Sequence, residues 1–85
     1  MYLANIYVTL KPTVNDPQGL TVRGGLHNLG FHQVNKVRQG KFIELWLEET
    51  DQKKAEQQVA EMCDKLLANP IIENFRFELE KADGS

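Results

Sequence analysis

The number of strands in this chain turns on Gln33-Val34-Asn35-Lys36-Val37-Arg38-Gln39-Gly40-Lys41-Phe42-Ile43-Glu44-Leu45-Trp46-Leu47-Glu48. The second half of this stretch alternates, with Ile43, Leu45 and Leu47 set against Phe42, Glu44, Trp46 and Glu48. That is the period of a strand with one buried face. The whole stretch is too long for one ordinary strand. Gln39-Gly40 offers a two-residue turn, weaker than Asn-Gly, at which to divide it. The reading therefore predicts a hairpin: a first arm carrying Val34 and Val37, and a second from Lys41 to Glu48.

Upstream, residues 2–10 also alternate, with Tyr2, Ala4, Ile6, Val8 and Leu10 on one side and Leu3, Asn5, Tyr7 and Thr9 on the other. Lys11-Pro12 ends this strand, because proline has no N–H for a ladder. Asp16-Pro17 reads as an N-cap followed by proline in the first turn of a helix. Val22, Leu26 and Leu29 recur at helical spacing, and Gly30 closes the helix. Gly19, Gly24 and Gly25 inside it each weaken it by about 1 kcal/mol relative to Ala, which close backbone approach to a sheet or a partner would explain. Downstream, Thr50-Asp51 caps a second helix with the apolar stripe Ala55, Val59, Met62, Cys63, Leu66 and Leu67, stopped by Asn69-Pro70. A last strand follows with Phe75, Phe77 and Leu79 on one face.

The order β-α-β-β-α-β predicts an α+β fold. It is the ferredoxin-like split βαβ arrangement, a four-stranded antiparallel sheet in the order 4-1-3-2 with both helices on one face. The 85 residues allow one domain, placed at 1–80, with a frayed tail at 81–85. A domain this small buries only about 60–65% of its unfolded surface. Its single cysteine, Cys63, provides no internal disulfide, so association with another chain is the remaining route to added stability.

Ten basic and twelve acidic residues give a net charge of −2, which argues against a nucleic-acid module or an anionic membrane surface. No apolar run approaches the roughly 20 residues that span a bilayer. The first residues lack the basic region of a signal peptide, and a lone cysteine fits the cytoplasm.

On the expected helix-free sheet face, Leu3, Tyr7, Phe42 and Trp46 lie among Asn5, Thr9, Glu44, Glu48, Asn74, Arg76 and Glu78. An aromatic centre with a polar border has the composition of a protein interface, so Tyr7, Phe42 and Trp46 are candidate self-association residues. A few large residues can also sit exposed without consequence. RNA-recognition motifs share the topology, but the Gly-aromatic signature is missing and Glu outnumbers Arg and Lys on this face.

Little points to chemistry. His27 and His32 lack metal-ligand spacing, Cys63 sits on a helix stripe, and Gly24-Gly25 is not a phosphate loop. Glu48, Glu49 and Asp51 crowd a strand–helix junction where Asp51 already caps. Lys11, Arg38 and Lys41 are not required by turn chemistry, which makes them candidate partner contacts.

Five segments together resemble the PurS family, the small subunit of phosphoribosylformylglycinamidine (FGAM) synthase. They are Val8-Thr9-Leu10-Lys11-Pro12, Asp16-Pro17-Gln18-Gly19, Leu26-His27-Asn28-Leu29-Gly30-Phe31, Val37 to Leu45, and Met62 to Glu73. The resemblance implies a non-catalytic subunit that pairs with itself through its sheet and joins a large synthetase subunit to a glutaminase subunit. It implies no cofactor on this chain, with ATP and Mg used by the complex in converting formylglycinamide ribonucleotide to FGAM. It adds Asp16 and Gln18 to Lys11, Arg38 and Lys41 as expected partner contacts. An ACT-like module that binds a small regulatory molecule is the alternative of the same topology.

Overall fold

The computed structural model describes residues 1–82. Its elements are β1 (Tyr2–Leu10), α1 (Pro17–Asn28), β2 (Gly40–Leu47), α2 (Gln52–Met62), a π-helical turn (Cys63–Leu67) and β3 (Glu73–Lys81). The sheet has three strands in the order β2-β1-β3, and both pairings are antiparallel. Asp83, Gly84 and Ser85 of the expected tail lie outside the described residues. Lys81 pairs with Tyr2, and the Ala82 N–H donates to the Met1 carbonyl at 2.9 Å.

The observed order is 4-1-3-2 with the outer strand missing. The predicted fourth strand over residues 33–39 does not form, which corrects the four-stranded expectation. Val34 and Val37 are three residues apart and cannot share one face of a strand. The backbone groups of this segment are also claimed elsewhere. Gln39 N–H donates to Asp16 Oδ2 at 2.8 Å, and the Val34 carbonyl accepts from His27 Nε2 at 2.8 Å. Gly40 opens β2 instead of forming a hairpin turn. A Cβ there would stand 2.4 Å from the Val8 carbonyl oxygen, so only glycine lets the chain enter the ladder at this point.

The core forms where even-numbered β1 residues meet α2. Ala4, Ile6, Val8, Val59 and Cys63 are fully buried, with Ala68 nearly so. The register carries this face outward through the row Ile43–Ile6–Phe77 and the row Leu45–Ala4–Leu79. These flanking side chains are only partly buried, because α2 alone lies over the sheet.

The prediction of two helices on one face is corrected as well, since α1 does not pack on the sheet. Its one buried residue is Gly19, where a Cβ would stand 2.3 Å from the Val37 carbonyl oxygen. Leu20, Val22, Leu29 and Phe31 are exposed. The chain measures 49 × 29 × 15 Å with a radius of gyration of 16.5 Å. A compact domain of this length would have about 12 Å.

Candidate functional site

The sheet face opposite α2 is organised by the β1 register. One row reads Phe42–Tyr7–Arg76, the next Glu44–Asn5–Glu78, and the third Trp46–Leu3–Glu80. The Tyr7 and Phe42 rings tilt against each other at 5.1 Å between centroids. On the other side of Tyr7, the Arg76 guanidinium lies 4.0 Å from the ring centre, a cation–π contact. Arg76 also pairs with Glu78 at 3.1 Å. Phe42 and Trp46 are 55% and 52% exposed, so about half of each ring is open to a partner. The three predicted self-association residues therefore share one face, but a polar row separates Trp46 from the Tyr7–Phe42 pair. Sequence reasoning placed Arg76 on this face and missed its stacking on Tyr7, which only the register reveals.

A second feature is the clamp between the segment 11–16 and the segment 37–39. Asp16 caps α1 through Oδ1, which accepts from Gly19 N–H at 2.9 Å, and holds Gln39 through Oδ2. The Gln39 and Gly19 hydrogen bonds keep the Asp16 carboxyl below its ordinary range, helped by nearby Arg38 and opposed by burial. Arg38 donates to the Lys11 carbonyl at 2.9 Å, the Val14 carbonyl at 3.1 Å and the Leu10 carbonyl at 3.3 Å. The Lys11 N–H in turn donates to the Ile72 carbonyl at 2.8 Å, which ties the end of β1 to the start of β3.

Two of the five expected partner contacts, Asp16 and Arg38, thus have internal roles. Gln18 is exposed on the first turn of α1, and Lys11 is half-buried. Lys41 is exposed and reaches Glu73 at 3.7 Å. Lys11 and Lys41 flank the same end of the sheet, while Gln18 stands on α1.

The acid-rich junction does capping work. Glu49 Oε1 accepts from Thr50 N–H at 2.9 Å and from Asp51 N–H at 3.2 Å, and Asp51 accepts from Lys53 N–H at 3.0 Å. Those backbone hydrogen bonds, from Asp51 first and Thr50 second, hold the Glu49 carboxyl below its ordinary range. Burial pushes the Cys63 thiol up, which keeps it protonated and unreactive. Among the described residues no three His, Cys, Asp or Glu side chains are grouped to hold a metal ion.

The PurS family model, described as phosphoribosylformylglycinamidine (FGAM) synthase, matches residues 3–81. The chain belongs to the PurS family. It is 51% identical over 84 residues to the phosphoribosylformylglycinamidine synthase subunit PurS of a Synechocystis strain, covering 99% of this chain and 84% of that one. The crystal structure of PurS from Methanocaldococcus jannaschii, one of the subunits of formylglycinamide ribonucleotide amidotransferase in the purine biosynthetic pathway, superposes with a TM-score of 0.87. It is 40% identical and covers 98% of this chain and 100% of its own. A chain in the structure of PurLQS from Thermotoga maritima superposes with a TM-score of 0.83 at 30% identity, covering 94% and 99%. The chain is thus a PurS subunit of FGAM synthase, which acts in purine biosynthesis.

Proposed function

We propose that this PurS chain is a non-catalytic assembly subunit, which pairs with itself and holds the synthetase and glutaminase subunits of FGAM synthase together. The observation that carries this reading is the likeness, over nearly the whole chain, to a chain of the PurLQS structure. The exposed row of Phe42 and Tyr7, with Trp46 beyond it, supports self-pairing through the sheet. Lys11, Gln18 and Lys41 are the partner contacts of this reading, and Asp16 and Arg38 hold the loops around Lys11 and Lys41 in place.

In this role ATP and Mg belong to the reaction carried out on the larger subunits, and the chain works in the cytoplasm. Its effect on rate comes from proximity. Fixing two subunits in register lets ammonia released on one reach the other without dilution into solvent. Size-exclusion chromatography of the chain mixed with a synthetase and a glutaminase tests the assembly. Co-elution of all three is expected. A synthetase–glutaminase complex that forms equally well without the chain would overturn the proposal.

A further inference from the structure

A cleft opens beside the first turns of α1, walled by the segment 12–16 on one side and the segment 35–38 on the other. Its volume is about 410 Å³, within the range of about 300–1,000 Å³ that small-molecule sites occupy. Three cations line it, Arg23, Lys36 and Arg38, against one carboxylate, Asp16. The chain as a whole carries a net charge of −2, so the cleft is a local reversal of sign.

The carboxylate does not discharge these cations. Both oxygens of Asp16 are taken by backbone N–H groups, from Gly19 and Gln39. Arg38 in turn donates to the carbonyls of Leu10, Lys11 and Val14, neutral acceptors that hold its side chain and leave its charge in place. Arg23 and Lys36 enter no salt bridge among the described residues. Arg23 stands one turn after Gly19, on the side of α1 that meets Val37, and its Nε is buried with no hydrogen-bond partner. A buried donor left without an acceptor is destabilising, and an acceptor entering the cleft would satisfy it.

The arrangement suits an oxyanion. A guanidinium offers paired N–H groups in the geometry of phosphate or carboxylate oxygens, and a lysine adds a mobile point charge. Three cations against one engaged carboxylate match a phosphate monoester, close to a dianion at neutral pH, better than a single carboxylate. The cleft is larger than a lone phosphate fills. Leu20 and Val37 give it an apolar wall, and Thr13, Asn15 and Asn35 offer hydroxyl and amide groups to a hydroxylated body. The Asp16 and Arg38 hydrogen bonds fix both walls before any ligand arrives, which lowers the ordering cost of binding. We propose that this cleft binds a small phosphate monoester, with Arg23 and Lys36 on the phosphate. The site shares no residue with the Tyr7, Phe42 and Trp46 face and does not rest on the assembly role.

Isothermal titration calorimetry of the full chain at fixed ionic strength tests it, with ribose 5-phosphate, inorganic phosphate and glutamate as the probes. Ribose 5-phosphate is expected to bind at least tenfold more tightly than inorganic phosphate, and glutamate more weakly than either. Arg23→Gln is expected to weaken ribose 5-phosphate binding at least tenfold and Lys36→Gln severalfold. Lys53→Gln, at an exposed position on α2, is expected to leave it unchanged. Far-UV circular dichroism of all three variants is expected to match the unmodified chain. Lys36 is exposed and outside any helix, so its variant carries the test even where Arg23→Gln disturbs α1. No binding of either phosphate at millimolar concentration, or binding that neither cleft substitution weakens, would overturn the proposal. Equal affinity for the two phosphates would overturn the monoester in favour of the free ion. Glutamate binding as tightly as phosphate would overturn it as well, and would make the cleft a seat for a carboxylate.

Discussion

Asp16 shows how one side chain sets the geometry around it. Its two carboxylate oxygens join the start of α1 to the segment before β2, and both bonds are to backbone amides. The sequence showed the capping half of this, from Asp16-Pro17, by a local rule. It did not show the bond to Gln39, which lies 23 residues away in the chain. Arg38 is similar: no turn needs it, so sequence reasoning sent it to a partner, whereas its guanidinium closes on three carbonyls of its own chain. Asp16→Asn is expected to lower the thermal midpoint by several degrees at neutral pH, because one charge-assisted acceptor is lost. The folded-state pKa of Asp16 lies below its ordinary value of 3.8. Its contribution is therefore complete well above that value and fades as the pH falls through the lowered one. Calorimetry at pH 7 and at successively lower pH is expected to show the gap between the two proteins shrinking in acid. A constant gap would contradict the role given to the charge.

Among the elements, the strongly periodic ones were legible. The alternation of residues 2–10, the second arm through Leu47 and the last strand each formed, with the predicted faces. Gly30 closes α1 with φ of 100°, and the N–H groups of Gly30 and Phe31 donate back to the His27 and Leu26 carbonyls. The element without a period failed: residues 33–39 carry two valines at the wrong spacing, and side chains claim their backbone. The apolar stripe of α2 was read as one helix, yet the Ala68 N–H donates to the Cys63 carbonyl across a wider turn. The extra residue keeps Cys63 and Ala68 in the core and turns Leu66 outward. Stripe spacing cannot reveal such an insertion, because the same apolar residues satisfy both registers. Cys63, buried and with its pKa raised, is expected to resist a thiol-reactive dye in the folded chain and to react once the protein is unfolded in guanidinium. Rapid labelling under native conditions would mean that the π turn opens readily.

At the scale of the molecule, the chain is longer and thinner than its length calls for. Among the described residues a single helix covers the sheet and ten large apolar residues are exposed, Phe42, Trp46, Leu29 and Leu66 among them. Composition hinted at this only through the argument that a small chain with one cysteine needs outside help. The detachment of α1 was not legible, because its apolar spacing is that of any packed helix and says nothing about which chain supplies the surface. Trp46→Glu is expected to weaken self-association by about tenfold or more, about 1.4 kcal/mol, without loss of helix signal. Light scattering at micromolar concentration reads it, and an unchanged mass would remove Trp46 from the interface.

FGAM synthase is proposed here to require this chain while taking no catalytic group from it. The most direct test is the rate of glutamine-dependent FGAM formation by a synthetase and a glutaminase, measured with and without the chain. A large loss of rate is expected when the chain is left out, with no FGAM formation by the chain alone. Equal rates with and without it would contradict the claim.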